Sequence, residues 1–215
     1  MNERKTSNRE KLFAKFLAKE DEASFEMHKN KKTELFKDIS GTVVEIGPGT
    51  GVNFPFLNNQ IVNWTGIEPN KAMHPFLVKN ANDHGFEITI KNDRTENISI
   101  DSSSIDFVIS SEVLCSVNNL KQSLNEVRRI LKPGGKFLFL EHVADNKVSF
   151  RRLIQKIVPL TPWRYFSDGC RPGRQIGKAI KENGFHNVNY KRYMQAGKGI
   201  ILEINRPHIY GLAIK

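Results

Sequence analysis

From Gly41 onward the chain alternates between two hydrophobic periodicities. Short runs rich in β-branched and aromatic residues read as strands at Thr42–Ile46, Trp64–Glu68, Glu87–Lys91, Ile105–Ser110 and Lys136–Glu141. Between them, Asn70–Asn80 and Leu120–Leu131 carry apolar residues at helical spacing. The second helix presents Leu120, Leu124, Val127 and Leu131 on one face, and Pro133-Gly134-Gly135 stops it. Strands joined by helices of this length form right-handed βαβ units, which predicts an α/β fold with a mostly parallel sheet and helices on both faces. After Glu141 the rhythm breaks. A basic, aromatic insertion spans Val148–Gly173, a helix ends near Gly184, and two late strands lie around Val188–Met194 and His208–Ile214.

Residues 1–38 also have a helical pattern, with Leu12, Phe13, Phe16 and Leu17 as an apolar spot among Lys11, Lys15 and Lys19. The expected organisation is a helical arm, residues 1–40, covering the cleft of a single domain, residues 41–215. The same lysine-flanked spot also suits a helix lying on a membrane surface. At 215 residues the chain is long enough for one real core. No apolar run approaches the roughly 20 residues that span a bilayer, and the start, MNERKTSNREKLF, is charged throughout. Two cysteines, Cys115 and Cys170, do not make a disulfide framework. A cytoplasmic protein is expected, with peripheral membrane contact as the alternative placement. The net charge of +10 permits an acidic partner without identifying one.

The segment Val43–Phe54, VVEIGPGTGVNF, leaves the first strand where open α/β sheets bind ligands. Gly47 and Gly49 match the first two places of the dinucleotide pattern G-x-G-x-x-G, but the third place is Val52, and the third glycine is Gly51. Pro48 removes one of the backbone N–H donors on which a phosphate cradle depends. A ligand without phosphates fits better. S-adenosyl-L-methionine (SAM), which needs close backbone approach beside its carboxylate and sulfonium, is the expected cofactor, with S-adenosyl-L-homocysteine as product. Glu68 ends the second strand, where an acid accepts hydrogen bonds from ribose hydroxyls. Asp93 follows the third strand, within reach of adenine. The expected cofactor residues are Glu45, Gly47, Pro48, Gly49, Gly51, Asn53, Glu68, Pro69, Asp93, Arg94, Thr95, Ser110 and Val113.

With these residues in view, the chain resembles the class I SAM-dependent methyltransferases. VVEIGPGTG is similar to their first motif, GIEP to their second-strand acid, SSIDFVISSEVL to their fourth strand, and LNEVRRILKPGGKFLFLE to the helix, turn and fifth strand that follow. The resemblance covers Gly41 to Glu141 and implies a Rossmann-like sheet of seven strands, the last antiparallel. Further along, EVLCSV, FLEHVA, FSDGC and RPHIYGLAIK resemble the methyltransferase-like alkyl-thiol S-methyltransferases. That family implies a small, partly apolar thiol as methyl acceptor and association with membranes. Its members carry an apolar N-terminal anchor, whereas this N-terminus is polar and basic.

On the acceptor side, His142 follows the fifth strand and has the pKa range to deprotonate a thiol. Its bland alternative is a structural histidine bonded to a loop carbonyl. Asp168, in the FSDGC turn, is expected to orient His142 or hold a substrate amine, or simply to make the turn. Cys115 reads as a packing residue beside the methyl position, and neither cysteine is expected to carry the methyl group. Trp163, Tyr165 and Phe166 are candidates for an apolar lid. No metal is expected. Three other functions compete. An amine or phospholipid N-methyltransferase asks more of a base. A SAM-binding sensor would keep the fold without turnover. A nucleic-acid methyltransferase would use Arg151, Arg152, Lys156, Arg164, Arg171, Arg174, Lys178 and Lys181 as a phosphate track. Against the last, Ser110-Ser111-Glu112-Val113 stands where base methyltransferases place an Asn/Asp-Pro-Pro-aromatic turn. Nothing in the sequence fixes an oligomeric state.

Overall fold

The computed structural model describes residues 6–146, 149–162, 165, 167–196 and 199–215, with the side chains of 200–202 set aside. Five strands run parallel: β1 (Gly41–Ile46), β2 (Val62–Ile67), β3 (Ile88–Lys91), β4 (Ile105–Ser111) and β5 (Leu131–His142). Two follow antiparallel, β6 (His186–Met194) and β7 (Pro207–Ile214), giving the order β3-β2-β1-β4-β5-β7-β6. The helices are α1 (Asn8–Phe36), α2 (His74–Asp83), α3 (Leu120–Ile130), α4 (Phe150–Ile157), α5 (Ile176–Glu182) and α6 (Ile200–Asn205). β1 lies inside the sheet between β2 and β4, and Val43 and Val44 are buried on opposite faces. One core packs Phe36 of α1 and Leu77 of α2 against Val43, Phe54 and Trp64. The other packs Leu124 and Val127 of α3 and Ile176 and Ile180 of α5 against Val44, Val108 and Phe137. Helices therefore cover both faces of a seven-stranded sheet, as the alternation of periods implies.

Two boundaries differ from the sequence pattern for local reasons. α2 begins at His74 rather than Asn70 because Asn70 is spent on a turn. Its backbone N–H donates to Glu68, its side chain accepts from Ala72 N, and its carbonyl accepts from Met73 N. Pro75 then sets the first helical turn. β5 begins at Leu131, paired with Ile105, five residues before the expected Lys136. α3 thus ends at Ile130, ahead of Pro133, and Gly134 takes the positive φ of +77° within the strand's first stretch.

α1 is capped by Ser7 and Glu10: Glu10 N donates to Ser7 Oγ at 3.2 Å and Ser7 N to Glu10 Oε2 at 2.7 Å. It buries not only Ala14 and Phe36 but also His28 and Lys32, residues whose type reads as solvent-facing. Among the described residues no helix is long and apolar enough to cross a membrane.

Most of the cations expected to form a phosphate track have partners within the chain. Arg151 donates to Glu203 and Asp145, Arg152 to Gly173 O, Arg171 to Val117 O, and Arg174 to Leu114 O and Val117 O. Lys178 pairs with Glu182, and Lys181 lies over the Tyr190 ring. Arg164 lies outside the described residues. These cations cap carbonyls and brace loops, so most of the apparent patch is already engaged.

At the edge of the sheet opposite the glycine loop, Asp106 joins β1, β4 and β5. Its Oδ1 accepts from Lys132 Nζ at 2.7 Å, and its Oδ2 accepts from Thr42 N at 2.9 Å and Thr42 Oγ1 at 2.7 Å. The Lys132 ammonium chiefly holds its pKa down, to about 2. Because the folded pKa lies below the unfolded value near 4, this stabilisation is complete above about pH 4 and is lost as pH falls through about 2. Asp106 is partly exposed, so its worth is discounted to about 1 kcal/mol. Asp106→Asn should lower Tm by roughly 2–4 °C at pH 7, and the gap should shrink as thermal unfolding is followed from pH 5 toward pH 2. A gap independent of pH would contradict the assignment.

Candidate active site

The carboxyl ends of β1, β2, β4 and β5 open into one cleft of about 1300 Å³. Its floor is the Gly47–Val52 loop, its sides are the segments after β2, β3 and β4, and its roof is the first half of α1. The insertion closes the far end through Pro159, Thr161, Tyr165 and Ser167–Cys170. Trp163 and Phe166, expected to join Tyr165 in a lid, lie outside the described residues.

Gly47, Gly49 and Gly51 all adopt positive φ, at +57°, +57° and +91°. A Cβ on Gly47 would stand 2.7 Å from both methyls of Val113, so the loop and the β4 exit pack without side-chain room to spare. A Cβ on Gly49 would meet only Leu17 at 3.9 Å, which leaves bare backbone facing the space under α1. Behind the loop, buried Glu45 accepts from Asn53 Nδ2 at 2.7 Å and Trp64 Nε1 at 3.1 Å. Gly51 packs on the Phe54 ring. Glu45, Gly51 and Asn53 therefore brace the loop from beneath rather than line the cleft.

Glu68 does line it. Burial pushes its pKa up to about 7, while its oxygens accept from Asn70 N at 2.8 Å and Gly49 N at 3.1 Å. The Gly49 donor is thus already occupied by a carboxylate. A pyrophosphate at this loop would face that negative group and lack both the Gly49 and the Pro48 donors. Ribose hydroxyls, as neutral donors, suit the remaining lone pairs.

Beside Glu68 the wall continues through Pro69, Arg94, Thr95 and Glu96. Asp93 does not reach adenine's side of the cleft: its carboxylate accepts from Ser99 N at 2.7 Å and bonds Ser99 Oγ, fastening the chain after β3. Ser110 is likewise withdrawn, donating to Glu141 Oε1 at 2.5 Å. Val113 remains on the wall.

The far end of the cleft gathers residues far apart in sequence. His142, Cys115 and Cys170 are buried at the cleft wall, with Cys170 Sγ 3.5 Å from His142 Nε2. Cys115 Sγ lies 3.4 Å from Ser116 Oγ. Burial opposes a charge on His142, yet Cys115 beside it carries its pKa to about 9. Cys115 in turn is held well below the usual thiol range, first by Cys170 and, against burial, by His142. Asp168 does not orient His142, whose Nδ1 has no hydrogen-bond partner among the described residues. Asp168, at φ +48°, instead pairs with Arg9 of α1 at 3.1 Å.

Sequence reasoning passed over several residues here. Glu112, at φ +59°, sits between His208 Nε2 at 3.0 Å and His28 Nε2 at 3.4 Å, linking the β4 exit to β7 and α1. Asp21 of α1 accepts from Thr50 Oγ1 at 2.6 Å. The pairing of His142 with Cys170 joins β5 to an insertion without periodicity, and no spacing rule signals it.

The cleft wall carries seven carboxylates (Glu10, Glu20, Asp21, Glu68, Glu96, Glu112 and Asp168) against Arg9 and Arg94. In a chain of net charge +10 this is a local reversal, and it favours a cationic ligand. SAM bears a sulfonium and an ammonium, so the bare loop, the occupied Gly49 donor and the acid wall all fit it.

Residues 44–139 match the family model described as Methyltransferase domain. The molecule is a SAM-dependent methyltransferase with the Rossmann-like, class I fold. Over most of its length it is also similar to curated enzymes. The human thiol S-methyltransferase TMT1A is 33% identical over 216 residues, 95% of this chain and 86% of the relative. The rat thiol S-methyltransferase TMT1B is 34% identical over 203 residues, 89% of this chain and 81% of the relative. The chain belongs to this thiol S-methyltransferase family. Among solved structures, a SAM-dependent methyltransferase of Methanococcus maripaludis shares the fold at TM-score 0.64 and 19% identity, over 99% of this chain and 96% of that one. One of Thermotoga maritima does so at TM-score 0.62 and 21% identity, over 94% and 98%.

If Glu68 holds the ribose as a carboxylate, Glu68→Gln should raise the SAM dissociation constant about tenfold or more, the worth of a hydrogen bond to a charged group. In the parent, affinity should decline as pH falls below about 7 and Glu68 takes up its proton, whereas the Gln variant should lack that inflection. Isothermal titration across pH 6–8.5 measures both.

Proposed function

We propose that this protein transfers the SAM methyl group to the sulfur of a small, partly apolar thiol. Bound SAM supplies a methyl group activated by its sulfonium. The residues of the chain hold the acceptor in line with it and exclude water. The observation that carries the thiol reading is the cleft's acid wall combined with the soft Cys115–His142–Cys170 end. Seven carboxylates favour the protonated form of either acceptor, and a protonated amine, unlike a thiol, has no lone pair to attack with. A thiol, with a pKa near 8.5 against about 10.4 for an alkyl amine, gives up its proton far more readily. Phe13 and Leu17 from α1, both half-buried, offer apolar surface to the rest of the acceptor. The curated relatives, named as thiol S-methyltransferases, support the same choice.

In this reading Glu68 and the glycine loop hold the cofactor, with Pro69, Arg94 and Thr95 beside its adenine and Val113 beneath its methionine end. His142 contacts the acceptor sulfur. Asp168 positions the roof through Arg9. Transfer is direct, and neither cysteine carries the methyl group. A panel of small thiols, amines and RNA or DNA oligonucleotides, followed by S-adenosyl-L-homocysteine release, tests the proposal. Thiols should turn over, and amines and oligonucleotides should stay within a few per cent of that rate. Amine turnover matching the best thiol would overturn it.

The working place we infer is the cytoplasm, at a membrane surface. Leu12, Phe16, Phe150, Leu153, Ile157, Leu160 and Tyr165 are exposed apolar side chains on α1 and the insertion, accompanied by Lys11, Lys15 and Lys156. Co-sedimentation with anionic vesicles should retain the parent and lose most of a Phe16→Glu, Leu160→Glu variant. Equal retention would refute a docking face there.

A further inference from the structure

Cys115, His142 and Cys170 come from three separate segments, the exit of β4, the last residue of β5 and the insertion. One ligand-type atom from each lies within 4.8 Å of the other two. All three residues are buried, and all three line the cleft. The 3.5 Å between Cys170 Sγ and His142 Nε2 equals the edge of a tetrahedron whose centre is about 2.3 Å from sulfur and about 2.0–2.1 Å from nitrogen, the bond lengths of protein-bound zinc.

The segments are also fixed in place before any ligand arrives. Arg171 N donates to Cys115 O at 3.1 Å, stitching one cysteine segment to the other, and Cys170 N donates to Ser167 O at 3.1 Å. Leu114 N and Val113 N both donate to Glu141 at 3.2 Å, and Arg174 donates to Leu114 O.

A second cluster of similar type makes an instructive contrast. In His28–Glu112–His208 every ring nitrogen and both carboxylate oxygens have partners, with Tyr193 and Arg206 O taking the outer nitrogens. That network is closed by hydrogen bonds alone. At Cys115–His142–Cys170 the contacts are the weak ones of thiols, Cys170 Sγ with His142 Nε2 at 3.5 Å and Cys115 Sγ with Glu112 O at 3.6 Å and Ser116 Oγ at 3.4 Å.

We propose that Cys115, His142 and Cys170 bind a zinc ion whose fourth position opens on the cleft and takes the acceptor's sulfur. Two thiolates and one imidazole are soft enough to select zinc over magnesium, calcium or manganese. They leave the ion electrically neutral with its ligands. Three protein ligands plus one open position is the count of a catalytic rather than a structural zinc. When a thiol enters, its sulfur forms the fourth bond, a water leaves that position, and the thiol proton passes to solvent. The sulfur is then held as a thiolate at neutral pH beside the cofactor. The fourth-ligand role rests on the thiol reading above; the metal site itself does not.

The experiment uses the full chain, purified under reductant. Metal analysis should find about one zinc per chain. After chelation, cobalt(II) should restore one equivalent, with a thiolate-to-cobalt charge-transfer band in the near ultraviolet and the intense visible bands of a tetrahedral site. Cys170→Ser and Cys115→Ser, checked for folding by circular dichroism and SAM binding, should each weaken zinc affinity at least tenfold. Adding a thiol that the enzyme methylates should strengthen the charge-transfer band without SAM present.

A reduced, folded chain that takes up no stoichiometric zinc or cobalt overturns the proposal, even if thiols are methylated. Unchanged zinc affinity in both serine variants overturns the ligand assignment. Full thiol turnover by metal-free enzyme overturns the fourth-ligand role while leaving the thiol reading intact. Zinc binding without thiol turnover upholds the site and sinks the acceptor instead.

Discussion

A carboxylate with no access to solvent sits near the end of β5, and three donors from the end of β4 close around it. Glu141 accepts from Ser110 Oγ, Val113 N and Leu114 N, and burial raises its pKa to about 8. A buried acid of this kind is tolerable only while its hydrogen bonds are complete. The chain leaving β4 must therefore turn tightly, and Glu112 accepts a positive φ to do so. That turn sends Glu112 toward the two histidines, lays Val113 against Gly47 and brings Cys115 to His142, the neighbour of Glu141. The cofactor loop, the far end of the cleft and the anchorage of α1 all depend on one buried acid whose hydrogen bonds are complete.

The sheet was legible in the chain because parallel strands buried on both faces are written as continuous apolar, β-branched runs. Val43–Ile46 and Val108–Ile109 could hardly be anything else. The glycine loop was legible too, since three positive-φ positions at alternate residues leave glycine as the easy choice. Side-chain direction was less so. Glu68 directly follows β2 and finds Gly49, whereas Asp93, the second residue after β3, is offered two donors by Ser99 and drawn off. The partnership of Cys170 with His142 crosses 28 residues of sequence without a period to follow. His28 and Lys32 are of types that are usually solvated, and the tertiary partners Glu112 and Tyr193 explain the burial of His28.

Charge was the most misleading quantity taken alone. The chain is strongly basic, yet among the described residues Arg151, Arg152 and Arg171 of the insertion, and Arg174 just after it, are engaged by carbonyls and local acids. The cleft, by contrast, is lined with carboxylates. Composition describes what a distant ion feels; a ligand in the cleft meets the opposite sign.

α1 is held at two places over the same opening. Asp21 ties it to Thr50 in the cofactor loop, and Arg9 ties it to Asp168 at the acceptor end and to Tyr165 O. The helix is one rigid rod capped at its start by Ser7, so the two fastenings do not move independently. One continuous helix therefore spans both ends of the cleft, and whatever loosens its hold on Thr50 bears also on its hold at Asp168.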